Sequence, residues 1–227
     1  MGRNLYNQNY RGEKKIMYAT TAGSYMPSVM KTFALSLGIA FIGTMLGVYI
    51  PPAMFLPLVI LELALLIGAL FLRKRKAISY SFLYLFSFIS GMTTYPIVAH
   101  YLAIAGVSTV IMAFGTTAAV FSGLAIYAST TKRDLTFLGG MLFAALIALI
   151  AISIFNIFWP LSSAGMLAFS FVGVMVFSGY VLYDFNRMKQ NGVTAEEIPL
   201  MALNLYLDFL NLFVNILRIL GILGSKD

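Results

Sequence analysis

Residues 135–158 read LTFLGGMLFAALIALIAISIFNIF, twenty-four consecutive residues without a charge. Wound as an α-helix the stretch is about 36 Å long, against a bilayer hydrocarbon core of about 30 Å. It has no polar face to show to water, so it is too long and too uniformly apolar for an ordinary soluble helix. Lys132 and Arg133 precede it, and Trp159 and Pro160 follow it. A basic end and an aromatic end are what a membrane helix presents to its two interfaces. Working outward, six more apolar stretches of similar length appear. The predicted spans are Val29–Ile50, Ala53–Leu72, Ile78–Tyr101, Val107–Ser129, Leu135–Phe158, Ser163–Tyr183 and Ile198–Leu223. Lipid leaves no backbone group unpaired, and the short alternating segments of a barrel are missing, so the expectation is an all-α integral membrane protein with seven transmembrane helices.

Composition agrees. Of 227 residues, 60% are hydrophobic and 10% charged, where a soluble domain carries about 25% charged residues. The chain has no cysteine and one histidine, His100. That excludes disulfides and thiol chemistry and argues against a zinc hydrolase. A net charge of +7 in a soluble protein would suggest nucleic acid. Here the basic residues sit in short segments between apolar runs, so they are read as an orientation signal and no nucleic-acid partner is expected. Residues 1–26 form a polar, basic tail with Arg3, Arg11, Lys14 and Lys15, expected to be a cytoplasmic extension rather than a removable signal peptide. Residues 27–227 are then one membrane domain.

Thirteen of the fifteen Lys and Arg residues lie in the tail through Lys31, in Arg73–Lys76, at Lys132 and Arg133, and at Arg187 and Lys189. With seven spans all of these fall on one side. The opposite connections, around Pro51–Pro52, Gly106 and Trp159–Pro160, have none. The positive-inside rule predicts a cell-membrane protein with a cytoplasmic amino terminus and an external carboxyl terminus. Trp159 and Tyr101 are expected in the aromatic belt of the outer side, with His100 an interfacial residue nearby.

Local signals set several boundaries. Gly43 and Gly47 make a small-xxx-small pair that favours close helix packing. Thr194 and Glu197 form a capping-box pattern, and Asn191–Gly192 is a stop for the helix before. Pro199 is expected to kink the last helix just after its first turn. The methionines, 13 in all, read as packing or lipid-facing residues.

Charge inside a span costs several kcal/mol and marks a protein interior or a water-filled path. In the last span Asn204, Asp208, Asn211, Asn215 and Arg218 recur at helical spacing and share a sector about 80° wide. A carboxylate with three carboxamides on one stripe suits a helix lining a polar path, although asparagines also serve as interhelical glue. Arg218, near the outer end, can snorkel to the interface. Glu62 and Arg73 lie within about 20° of one another around the second helix but about 16 Å apart along it. Arg73 also heads the basic run 73–76 and so reads equally as a topology anchor. Asp184, close to Arg187 near the end of the sixth span, equally fits an ordinary ion pair. Counting from the turn at Gly192 leaves Asp184 and Asp208 about 9 Å out of level, a gap that tilt or a kink at Pro199 could close.

The segments Glu62-Leu63-Ala64 to Arg73-Lys74-Arg75-Lys76, Ser90-Gly91 to Tyr95-Pro96-Ile97, Phe155-Asn156-Ile157-Phe158, Tyr183-Asp184-Phe185-Asn186 and Leu205 to Leu212 resemble the bacterial branch of the Bax inhibitor family, the pH-sensitive calcium leak proteins. The likeness runs from about Pro27 to the carboxyl terminus. It implies a last helix placed centrally and surrounded by the other six. It also implies a di-aspartyl pH sensor at Asp184 and Asp208, a latch at Arg73 and an acidic pathway residue at Glu62. Asn204, Asn211 and Asn215 would continue the ion path. Calcium would be the transported or transiently bound species, contacted by Asp184, Asp208 and Glu62, with no other cofactor. The implied partners are the lipid bilayer, calcium ions and protons, with a monomer favoured. Two carboxylates in low dielectric cannot both ionise cheaply, so the charge of such a pair depends on pH, while an arginine stays charged. Protonation would loosen the latch yet weaken the attraction for calcium, and these effects oppose one another.

Two rivals share these residues. A proton-coupled secondary transporter of another substrate also uses buried carboxylates. An intramembrane aspartyl protease needs two aspartates sharing a proton, but here Leu205-Tyr206-Leu207 precedes Asp208 where such enzymes carry a Gly-x-Gly pattern, and their Pro-Ala-Leu motif is absent. The expectation is therefore a protein that is not an enzyme.

Overall fold

The computed structural model describes residues 25–74 and 78–225, without the side chains of residues 70–74. The described residues form seven helices long and apolar enough to cross a membrane and no strand. The first, α1, is Tyr25–Tyr49, closing in a 3-10 turn at Gly47–Tyr49. It is followed by α2 (Pro52–Lys74), α3 (Tyr80–Ala105), α4 (Val107–Thr130), α5 (Leu138–Phe158), α6 (Ser163–Asn191) and α7 (Ile198–Gly224). Each expected span falls on one helix. Tyr25 and Met26, read as tail, are already helical; the rest of the tail lies outside the described residues.

The ends of the helices differ from expectation where side chains compete for the backbone. Asp134 accepts hydrogen bonds from the Thr136 amide at 2.8 Å and hydroxyl at 2.6 Å. This Asx turn holds residues 134–136 out of the helix, so α5 starts at Leu138 rather than Leu135. The α6 helix runs eight residues past Tyr183, because nothing breaks it before Asn191. Gly192 then takes φ 75° and donates its N–H to Met188 O, a glycine C-terminus. Gly106 (φ 85°) separates α3 from α4 in the same way.

The capping box at Thr194 and Glu197 is present: Glu197 accepts from the Thr194 amide and hydroxyl, both at 3.0 Å. It opens a 3-10 turn, Ala195–Glu197, that leads into α7. Pro199 corrects an expectation. It occupies the first turn of α7, where a missing N–H has no partner to lose, so it opens the helix instead of kinking it.

Small residues bring α1 and α3 together. A Cβ on Gly43 would strike Phe88 O, one on Gly47 the Tyr95 ring, and one on Gly91 the Ala40 backbone. Thr44 donates across the same crossing to Gly91 O at 2.9 Å. The Gly43/Gly47 pair is thus an intramolecular packing surface.

The last helix packs on α3, α4 and α6, its most extensive contact being with α6. Phe33 of α1 reaches it too, stacking on Phe121 of α4 and meeting the edge of Phe209. Outside this group, α2 packs on α3 and α5 on α6. Both expose most of their apolar side chains, such as Leu56, Ile60, Ile147 and Ile154, as lipid-facing helices do. Tyr101 is a second correction. It is buried against Gly221 of α7 and belongs to a core cluster with Ala113, Ile216 and Leu217. A glycine opposite it leaves room for the ring, so it packs inward. Trp159 is exposed, and so is His100, with its ring edge-on to Tyr101.

Candidate functional site

Two of the acids that lipid should reject are buried together. Asp184 on α6 and Asp208 on α7 are each 5% exposed, and the charge of one acts on the other. Counted from the true helix ends, Asp184 lies about 10 Å back from Asn191 and Asp208 about 15 Å into α7 from Ile198, so the mismatch in level falls from about 9 Å to about 5 Å. The Asp208 Oδ2 is buried and has no hydrogen-bond partner among the described residues. An unpaired carboxylate oxygen in a helix interface is costly.

The end of α6 that carries Asp184 is tied down by other residues. Asn186, fully buried, clasps the α4–α5 connection: its Oδ1 accepts from Leu135 N at 2.9 Å and its Nδ2 donates to Arg133 O at 3.0 Å. Lys189 donates to Thr131 O at 2.6 Å. These bonds anchor the end of α6 that carries Asp184 to the loop between α4 and α5.

Above Asp208 the carboxamide stripe is real but turns partly on itself. Asn211 donates to Leu207 O and Asn215 to Asn211 O, each at 2.8 Å along α7. One Nδ2 hydrogen of each is therefore used within its own helix. Asn215 is buried, packs on Gly173 of α6, and leaves its Oδ1 without a partner among the described residues. Ser170, one turn from Gly173, also has a buried hydroxyl without a partner among the described residues. Asn204 and Asn211 are half-buried.

Glu62 is not part of the aspartate pair. Half-buried on α2, it accepts a hydrogen bond from Thr93 Oγ1 of α3 at 2.5 Å. Among the described residues no three acidic, histidine or cysteine side chains form one metal-holding group. The expected calcium contacts Asp184, Asp208 and Glu62 thus separate into a pair and a single residue, since α2 packs on α3 rather than directly on α7. The Arg73 side chain, expected as the latch, lies outside the described residues.

Comparison with known proteins accounts for this arrangement of motifs. The family model described as "Inhibitor of apoptosis-promoting Bax1" matches residues 22–225. The chain belongs to the Bax inhibitor family. Bacterial and eukaryotic relatives agree. An uncharacterised protein of Helicobacter pylori is 32% identical over 97% of this chain and 96% of its own. The inner membrane protein YbhL of Escherichia coli is 38% identical over 72% of this chain and 73% of its own. The Bax inhibitor 1 of Schizosaccharomyces pombe is 32% identical over 74% of this chain and 61% of its own. The bond from Thr93 to Glu62 had no mark of its own in the sequence. Lone hydroxyl residues are common in membrane spans, usually bonding back to their own helix as Thr94 and Thr117 do here. Their partners on other helices have no signature along the chain.

Proposed function

We propose that this Bax inhibitor family protein is a pH-sensitive calcium leak path in a cell membrane, with its amino terminus cytoplasmic and its carboxyl terminus outside. The reading is of transport rather than catalysis, by a monomer. The observation that carries it is the buried carboxylate pair between α6 and α7, with Asp208 Oδ2 unpartnered. Such a pair changes charge with one proton, and its charge sets how strongly α6 and α7 attract or repel across their interface. If Arg73 meets the pair, as the family resemblance suggests, its permanent charge makes that contact strongest when both carboxylates are ionised. Proton uptake then biases α6 and α7 between two packings.

Calcium favours six to eight oxygen ligands. Two carboxylates and the carbonyl oxygens of Asn211 and Asn215 offer at most six, and Asp208 and Asn215 stand about 10 Å apart along α7, so no one ion gathers them all, which suits brief passage over storage. Glu62, held by Thr93, is a separate station on that path.

Calcium efflux from proteoliposomes, followed from about pH 5 to about pH 9, spans the range over which buried carboxylates titrate. Asp208→Asn and Asp184→Asn should each flatten the pH dependence. Wild-type pH profiles in both variants would remove the sensor, and absence of calcium flux in the wild type would remove the leak.

A further inference from the structure

On the face opposite the Lys- and Arg-rich connections, α5, α6 and α7 enclose a cavity of about 120 Å³. Ser153 and Asn156 of α5 line it, with Leu161 of the connection, Met166 and Phe169 of α6, and Arg218 of α7. One buried water needs only about 10–15 Å³ by the same measure, so the space admits a polyatomic group. Arg218 is half-buried, with its guanidinium 5.9 Å from the centre of the Phe169 ring. The Tyr101 phenol is the one titratable group among the described residues that acts on it electrostatically. No described carboxylate lines the cavity. A guanidinium never sheds its charge in a protein, and a charge kept in a span without a counter-anion is costly. The cavity therefore holds a permanent cation in need of an anion.

Its other walls fit the same occupant. Asn156 Oδ1 accepts from Leu161 N at 2.8 Å, which leaves the Nδ2 hydrogens as the donors available to an anion. Leu161 and Met166 put the start of α6 at the cavity, and helix N-termini favour negative charge. The surroundings are those of a lipid. Phe155, Phe158 and Trp159 cluster, exposed, beside Asn156, at the headgroup level where aromatic residues gather. Ile152 and Ile154 continue the exposed apolar surface along α5.

We propose that this cavity binds a phosphate-group anion, and that the occupant is the headgroup phosphate of an anionic phospholipid. Arg218 grips it through its planar fork, and Asn156 and Ser153 complete the polar wall. The acyl chains run along the apolar face of α5. The site is independent of the aspartate pair.

The full-length protein in non-ionic detergent is titrated with phosphatidylglycerol, phosphatidylcholine or inorganic phosphate, and adducts are counted by native mass spectrometry. Wild type should hold one phosphatidylglycerol in preference to phosphatidylcholine. Arg218→Gln should weaken it about tenfold, the effect of losing one charge-assisted contact. Arg218→Lys, which keeps charge but loses the fork, should weaken it less, and Asn156→Ala should also weaken it. Lys132→Gln, on the other membrane face, should leave it unchanged. If only inorganic phosphate binds, in an Arg218-dependent way, the anion site stands and the lipid occupant is overturned. Equal phosphatidylglycerol affinity in wild type, Arg218→Lys and Asn156→Ala overturns the site, even should Arg218→Gln fail to fold. Calcium flux plays no part in this readout, so the leak and the lipid site fail separately.

Discussion

Thr93 and Thr136 show how a single hydroxyl holds an acid in this protein. Thr93 donates to Glu62 at 2.5 Å between α2 and α3. Removing the hydroxyl strands a half-buried carboxylate. Thr93→Val should therefore lower stability by about 1–3 kcal/mol, read as a loss of thermal stability in detergent, and Glu62→Gln should soften that loss because a neutral amide tolerates burial better. Equal melting of Thr93→Val and wild type would show that the bond contributes nothing. In the α4–α5 connection, the Thr136 hydroxyl, with the Thr136 amide, holds the Asp134 carboxyl below the ordinary aspartate range. Both bonds favour the ionised form, so their contribution is present at neutral pH and fades as pH falls through the lowered value. Carboxyl NMR titration should show Asp134 protonating at a higher pH in Thr136→Val than in wild type. The acids themselves were plain in the sequence, being rare in an apolar chain. Their partners were not, because a threonine in a span looks the same whether it bonds its own helix or a neighbour's.

At the scale of elements, glycine placement decides how closely helices approach. Gly91 faces the Ala40 backbone, which cannot yield as a side chain can. Gly91→Ala should force α1 and α3 apart and cost about 1–3 kcal/mol. Gly115 on α4 has nothing within 4 Å of a Cβ, so Gly115→Ala should be neutral or stabilise by about 0.5–1 kcal/mol. Parallel thermal melts of the two variants test the contrast, and similar behaviour of both would refute the close crossing. The Gly43/Gly47 spacing announced a packing face, but its partner, α3, emerged only from the fold. The stop at Gly192 and the capping box at Thr194 and Glu197 were legible for a simpler reason, since both are bonds between residues a few positions apart. Pro199 was misread because the capping box suggested a helix already under way at Ala195, which would place Pro199 past its first turn, whereas residues 195–197 form a separate 3-10 turn and Pro199 falls in the first turn of α7.

For the whole molecule, the distribution of basic residues gives a topology that can be measured. The chain contains no cysteine, so single introduced thiols report without background. Lys132→Cys and Trp159→Cys flank α5 and should react with a membrane-impermeant maleimide from opposite sides of intact cells, Trp159→Cys from outside. Labelling of both from one side would break the seven-span threading, since α5 could not then cross.

Membrane residence, the count of seven spans and the identity of the acids were determined along the chain itself. Hydrocarbon imposes its demand on each span separately: about 20 apolar residues, internally bonded, with charge admitted only for a reason. Tertiary structure alone decided that Asp184 meets Asp208, that Glu62 turns to Thr93, that Tyr101 packs inward on Gly221, and that Arg218 borders a cavity without a carboxylate. Periodicity states which residues share a face of one helix. It carries no information on the rotation, height and distance of the helix opposite, and those three quantities follow from the packing of all seven helices together.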